Sequence, residues 1–575
     1  MRLVAGLGAA LVLALAACGS PPPPEPPPAP VAVPLPPAGG GSVPTPDPRK
    51  ASLLFDRILD AWLEDEPAMG RTLGLHAYDG RVADTSAAAV QKRIQRLESA
   101  RKDLAALDKA ALTPDEALDQ AILLNAIDVG LFELVDVASW QTRPAFYKEM
   151  FEVDSYVNRN YAPIEERARR LLDHERAGLA RAGNALANLK SPMSRPVVET
   201  AIKIYRGYAE YLRGDVVKIM GGVGDAAFKA DFARTNEALA KKAEELATHL
   251  DKVEKPKGDA SHVLGPEKFS KLLRAQEGLE IGLEEFRKMG EENLAINKKA
   301  YVELKPKVKT IARPKASELL AEATRLTESS RGFVLDKKIA TIPGEDRAQV
   351  RETPPYMRWN SAFLDMPGPF DTAKESFYYI TMPDPTWPAK EQAAYVMDYG
   401  ILLSTTVHEV YPGHFLQGLW VKRAPTRVQK SLSSYSFVEG WAHYIEQMMI
   451  EEGFGAENPQ NHLGQLSDAL LRNCRMVVSV GVHAQKMTLA QAEKRFTDDC
   501  FQDKATAREQ AVRATFDPGY FAYTLGKIQI LQLREDAKKR MGARFTLQRF
   551  HDALLSHGSP PLPLVRERVL AELAK

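Results

Sequence analysis

The chain is expected to be mainly α, a large helical body with a small β-sheet beside one of its helices. Two observations lead there. Beyond about Lys50, apolar residues return every three or four positions, which is the period of a helix face. The pattern breaks at length only between Ile342 and Pro388, around one short aromatic and β-branched run. At 575 residues, 45% apolar and 26% charged, the chain has the composition of a globular protein and can bury a large core. Its 76 basic and 75 acidic side chains leave a net charge of +1, so the basic excess needed to bind nucleic acid is missing. Three cysteines are too few for a disulfide framework.

Residues 1–18 read as an export leader. Arg2 supplies the positive end, and Leu3 to Ala17 form an apolar run too short to span a bilayer. Leu15-Ala16-Ala17-Cys18 resembles the bacterial lipobox, in which the cysteine is diacylated and becomes the first residue. The alternative is an ordinary secretory leader with an incidental cysteine. Residues 19–49 follow as a tether: 14 of the 39 prolines fall between 19 and 48, and such a segment is expected to be extended and polyproline-like. Gly19 is not the Asp of an inner-membrane retention signal. The expected address is therefore the periplasmic face of the outer membrane, with a lipid on Cys18 as the membrane contact.

The body divides into an N-terminal helical part, 50–255, and a part spanning 256–575 that carries the chemistry, the two read as one continuous unit. Leu53, Leu54, Ile58, Leu59 and Trp62 mark the first helix face. Similar stripes run through Ile94–Leu107, Leu118–Val137, Ile164–Leu189 and Val197–Ile219, and Ala226–Val253 is a charged amphipathic helix. Lys255 to Gly265 reads as a connection. Between Ile342 and Pro388, Ser376–Thr381 is the best strand candidate of the chain. From Ala389 a helical run (Tyr395, Val396, Tyr399, Leu402, Leu403, Val407) leads into Thr405-Thr406-Val407-His408-Glu409-Val410-Tyr411-Pro412-Gly413-His414.

A His-Glu-x-x-His spacing sets two imidazoles one helical turn apart, with a Glu beside them to act as base. Here the histidines are six apart, about 120° around a regular helix, so a regular helix cannot offer both to one metal. Pro412-Gly413 is expected to break or bulge the helix and swing His414 back. Twenty-five residues further on, Glu439 stands with His443 and Glu446 on one face of a second helix, at i, i+4 and i+7. Glu439 is the expected third ligand, leaving a fourth position for water, and His443 and Glu446 are expected to orient ligand or substrate.

His-Glu-x-x-Pro-Gly-His followed by Glu439-Gly440-Trp441-Ala442 resembles the bacterial domain-of-unknown-function 885 (DUF885) family, whose members are similar to gluzincin metallopeptidases. The Glu-Gly-aromatic string also resembles the third-ligand motif of the angiotensin-converting enzyme group. The resemblance covers about 51–575 and implies a two-lobed helical gluzincin-like metallopeptidase fold. It implies one Zn2+ per chain on His408, His414 and Glu439, although Mn or Co also suits that donor set. Arg475-Met476-Val477-Val478-Ser479-Val480-Gly481-Val482-His483 resembles the family's Arg helix and implies His483 as a hydrogen-bond donor to substrate or transition state. Ser479 and Met487 depart from the Asp and Trp of the family. Asp517–Lys527 resembles its Tyr-x-x-Gly segment and implies Tyr523 as oxyanion donor.

The implied activity is an envelope-anchored zinc peptidase. The metal activates a water and polarises the scissile carbonyl, Glu409 serves as general base, and His483 and Tyr523 stabilise the oxyanion. The strand Phe377–Thr381, with Tyr379 at its middle, is expected to hold a peptide by edge addition. Arg358, Arg475 and Lys527 are the basic residues near these segments that could bind a substrate carboxylate. Two other functions fit the same residues: hydrolysis of a non-peptide amide or ester, and peptide binding without catalysis, against which Glu409 argues. Cys474 and Cys500 can pair or remain buried thiols. His76, His174, His249, His262, His462, His551 and His557 carry no assigned role. Pro560–Leu564 turns into a last helix, Val565 to Leu573.

Overall fold

The computed structural model describes residues 49–354, 357–358 and 361–575, with side chains from Ala51 onward. The expected leader, Cys18 and the tether up to residue 48 lie outside them. The first helix runs Arg49–Asp65, followed by Ala87–Ala105 and Pro114–Leu131. Local chemistry starts the later two. Ser86 accepts from Ala89 N, and Thr113 and Glu116 form a reciprocal capping box with Pro114 just inside. Leu59, Leu63, Leu104, Leu123 and Ile127 of these helices are fully buried, each worth about 1.5–3 kcal/mol. Leu53, expected on the same stripe, points outward instead and is 63% exposed.

Core and chain order do not run together. Residues from Ala51 to Trp140 share the largest apolar core with residues from Leu319 to Leu573, so both ends of the body pack on one centre. A second core is built from Ile164–Arg181, Arg195–Tyr211 and Ala226–His249, with Leu171, Ala201, Tyr205, Leu239 and Ala243 inside. The charged helix thus has a buried apolar side as well as a solvated one.

The sheet has three strands, β1 (Ala348–Glu352), β2 (Ala362–Asp365) and β3 (Ser376–Ile380), in the order β1-β3-β2. β3 runs parallel to β1, Ala348 opposite Ser376, and antiparallel to β2, Ala362 opposite Ile380. The expected strand therefore exists, but it is the middle one. Both its edges are occupied, and Tyr379 is fully buried beside the rings of Phe363 and Phe377. Edge addition of a peptide at Phe377–Thr381 is ruled out on that ground.

Six of the remaining helices carry the candidate site residues or pack against them: α1 (Tyr399–Glu409), α2 (His414–Val421), α3 (Tyr435–Glu451), α4 (Pro459–Ala484), α5 (Lys504–Phe516) and α6 (Ala522–Met541). The helical run expected from Ala389 is divided, because Asp398 caps a new helix by accepting from Gly400 N and Ile401 N at 2.9 and 3.1 Å. Glycine pairs set the closest crossings. A Cβ on Gly400 would lie 2.2 Å from Gln460 O, where α1 meets α4 at Gly464. A Cβ on Gly440 would lie 2.5 Å from Gly526 Cα, where α3 meets α6. Cys474 of α4 is disulfide-bonded to Cys500, with a Cα separation of 6.3 Å. The last helix is Leu562–Ala574, buried through Val565, Val569 and Leu570. Among the described residues no helix is long and apolar enough to cross a membrane.

Candidate metal centre

The helix break brings the two histidines together. α1 stops at Glu409, Val410 (φ −115°, ψ −83°) and Gly413 (φ −72°, ψ −138°) leave helical dihedrals, and α2 starts afresh with His414. The return is so tight that a Cβ on Gly413 would come within 1.8 Å of His408 O, so no side chain fits there. The two imidazoles end 4.7 Å apart and nearly perpendicular, at 85°. Trp441 of α3 pins the turn, its Nε1 donating to Pro412 O at 2.9 Å.

Glu439 reaches the same spot from α3. Its Oε2 lies 3.4 Å from His408 Nε2 and 3.5 Å from His414 Nε2, and the three donor atoms fall within 4.8 Å of one another. That oxygen is buried and accepts no hydrogen bond. Among the described residues these three form the one cluster able to hold a metal ion.

Behind His408 stands Glu446, fully buried. His408 Nδ1 lies 2.6 Å from Glu446 Oε1, and His443 Nδ1 lies 3.2 Å from Oε2. A carboxylate can only accept, so Nδ1 of His408 donates to Glu446, and Nε2 is left facing Glu439 and His414. Arg472 of α4 completes the cluster, 3.1 Å from Glu446. Burial opposes a charged His408, but the carboxylates of Glu439 and Glu446 outweigh it and carry its pKa up to about 10. His443 is driven the other way, down to about 3, by burial and then by Lys527. Burial would raise Glu446, yet Arg472 and His443 hold it well below the usual carboxylate range.

Glu409 points from the end of α1 to the sheet, where its Oε2 accepts Leu364 N of β2 at 2.9 Å. Burial raises its pKa, and the two histidines act against that rise. Tyr523, the second residue of α6, is brought beside α3 because the Gly440–Gly526 contact lets α6 approach α3 closely. Its hydroxyl makes no hydrogen bond among the described residues, and its ring lies 5.6 Å from that of Tyr435, one turn before Glu439. Arg475 stacks over the Tyr523 ring at 4.8 Å.

His483 is set apart from this cluster. It is fully buried, its Nε2 is 2.7 Å from Ala514 O, and its ring stacks on Phe269. It ties α4 to α5, and no substrate can reach it. Ser479 ties α4 to the approach of α6, its Oγ donating to Pro518 O at 2.6 Å. Arg358 pairs with Glu352 at 2.5 Å. Sequence reasoning missed Arg472, Tyr435 and Leu364. Arg472 had a signal, since it precedes Arg475 by one turn on a helix whose other residues there, Asn473 apart, are apolar; a backbone N–H such as that of Leu364 has none.

The chain belongs to a bacterial protein family of unknown function, DUF885, whose model matches residues 67–569. Solved structures that share its fold include two candidate lipoproteins. A candidate lipoprotein of unknown function from Shewanella oneidensis matches with a TM-score of 0.74 at 23% identity, over 91% of this chain and 100% of the other. A candidate lipoprotein from Colwellia psychrerythraea matches with a TM-score of 0.70 at 17% identity, over 92% and 99%. No curated protein matches the chain.

Proposed function

We propose that the chain is a zinc-dependent peptidase of the gluzincin kind. The observation that carries this reading is the meeting of His408 Nε2, His414 Nε2 and Glu439 Oε2 beside the carboxylate of Glu409. Ligand atoms around a tetrahedral zinc at about 2.0–2.2 Å lie roughly 3.3–3.6 Å from one another. The 3.4 and 3.5 Å separations, and a buried Glu439 oxygen that accepts no hydrogen bond, fit that ion. When bound, zinc supplies Lewis acidity toward a carbonyl and toward water.

The other residues divide the remaining work. Glu446 holds His408 in one tautomer and one orientation, and Arg472 and His443 hold Glu446. Glu409 takes a proton from the attacking water and delivers it to the leaving amine; the Leu364 N–H keeps its carboxylate aimed and its Oε1 available. Tyr523 donates its unengaged hydroxyl to the oxygen on which negative charge develops. The test is metal content of the purified chain by mass spectrometry, with His408→Ala/His414→Ala as control, followed by peptide hydrolysis by Glu409→Ala. About one zinc per chain, lost in the double variant, and a 10²-fold or larger drop in hydrolysis with zinc retained are expected. A chain that takes up no zinc when supplied with it overturns the reading.

The cell envelope is the proposed location. The lipobox-like end of the leader, a disulfide suited to an oxidising compartment and the two candidate lipoproteins of the same fold support it. Cys18→Ser should move the chain from the membrane to the soluble fraction, and unchanged membrane retention would refute anchoring at that cysteine.

A further inference from the structure

We propose that Arg475 seats the C-terminal carboxylate of a peptide, so that the substrates of this centre are peptides cut near a free C-terminus; this deepens the hydrolase reading and rests on it for the cutting step. Three basic residues were candidates on sequence, and their surroundings separate them. Arg358 is engaged with Glu352. Lys527 is 1% exposed, its Nζ sealed in without a hydrogen bond, and Glu446 is the acidic group that acts on it most. Arg475 is different. Its Nε donates to Gln510 Oε1 at 2.9 Å, but no carboxylate pairs with it, and its two Nη atoms donate to nothing among the described residues. Unlike Lys527 Nζ, those Nη atoms are not closed off from solvent.

An arginine only 8% exposed and without a counter-ion is costly, since burial strips its hydration and no negative charge replaces it. Its neighbours add to the cost. Arg513 and Arg472 both act on it, and both are already paired, Arg513 with Asp517 at 3.0 Å and Arg472 with Glu446 at 3.1 Å and Asp468 at 3.9 Å. None of these acids pairs with Arg475, and an anion from outside the fold would supply its missing partner. A carboxylate suits the place because Gln510 holds Nε and leaves the Nη edge of the fork for two parallel bonds, while the Tyr523 ring, 4.8 Å away, keeps the plane fixed.

The position relative to the metal cluster selects the chain end. Arg472 and Arg475 are neighbours on one face of α4. Arg472 Nη2 is 3.3 Å from His408 Nδ1, and its guanidinium is 5.7 Å from the same Tyr523 ring that Arg475 covers. A carboxylate on Arg475 thus shares the Tyr523 ring with Arg472, the arginine that stands against the cluster histidine His408. A C-terminal carboxylate lies within such a reach of the last peptide bonds in every peptide, whatever its side chains.

The test uses the full-length Glu409→Gln chain, so that peptides are bound and not consumed, and N-terminally dye-labelled random pentapeptides read by anisotropy. Three pools are compared: free acids without Asp or Glu, the same pool as C-terminal amides, and amides that contain Asp and Glu. The free acids should bind at least tenfold more tightly than the plain amides. Arg475→Gln should abolish that difference and leave amide binding unchanged, with partial recovery in Arg475→Lys. Equal binding of acids and amides by the chain with Arg475 in place overturns the proposal, whether or not the Gln variant folds. Tight binding of only the acidic amides would also overturn it, assigning Arg475 to a side-chain carboxylate. If the parent chain cleaves nothing while the preference for free acids persists, the hydrolase reading falls and the carboxylate seat stands.

Discussion

Glu446 occupies two imidazoles and a guanidinium at once, and its removal tests whether the charge behind His408 matters. In Glu446→Gln one oxygen can still accept from His408, but Arg472 loses its close anion in a buried place. We expect zinc affinity to fall roughly 10–100-fold in chelator competition and stability to fall by about 3–5 kcal/mol in urea unfolding. Unchanged zinc affinity would show that Glu446 serves stability alone. At this scale the three residues of the cluster were legible in the sequence: His408, His414 and Glu439 stand in fixed spacings beside a Pro-Gly break that has a geometric reason. His483 misled because a histidine ending a motif helix has the same letter whether it faces a cleft or, as here, bonds Ala514 O inside the core. Arg475 could be named but not ranked, since the absence of a carboxylate partner is a three-dimensional fact.

Elements were legible in kind and less so in contact. The strand at Ser376–Ile380, the break after Glu409 and most helices followed from period and from Pro and Gly. That β3 lies between two partners did not, because β1 and β2 are short and carry charged or turn-forming residues nearby. Nor did the crossings, since a glycine inside a helix reads as a weak point. In the fold Gly440 is a contact surface. Gly440→Ala would force α3 and α6 apart, and we expect a loss of about 1–3 kcal/mol, together with a fall in kcat larger than any change in KM as Tyr523 withdraws. Full stability and full turnover in that variant would mean that the helices can part without cost.

The molecule as a whole should weaken in acid through histidines that its core keeps neutral. His551, whose Nδ1 lies 2.7 Å from Ile339 O and Nε2 2.9 Å from Tyr444 OH, is pushed down to about 4 by burial, with Arg534 assisting and the Ile339 contact opposing. Its contribution is complete above pH 6.5, where folded and unfolded chains both hold it neutral. As pH falls from 6.5 toward 4 only the unfolded chain gains the proton, and about 3 kcal/mol is lost. His551→Asn should therefore lose about 2 kcal/mol less than the parent between pH 7 and 5 in paired urea titrations. Equal losses would mean that His551 titrates normally in the folded chain. The division of the core between both ends of the body was not visible in chain order, because helix faces announce that they are buried without saying against what.

The glycine contact between α3 and α6 also limits how this centre can change. Most tight contacts in a core can be repaired by a second substitution, a larger residue on one side answered by a smaller one opposite. Gly440 and Gly526 already carry hydrogen, and no residue is smaller. A methyl group gained on either helix can be answered only by moving backbone, and the backbone of α3 carries Glu439 one residue before Gly440. Drift at these two positions thus has no compensating partner, and the distance between metal cluster and Tyr523 is held by the lack of any smaller side chain.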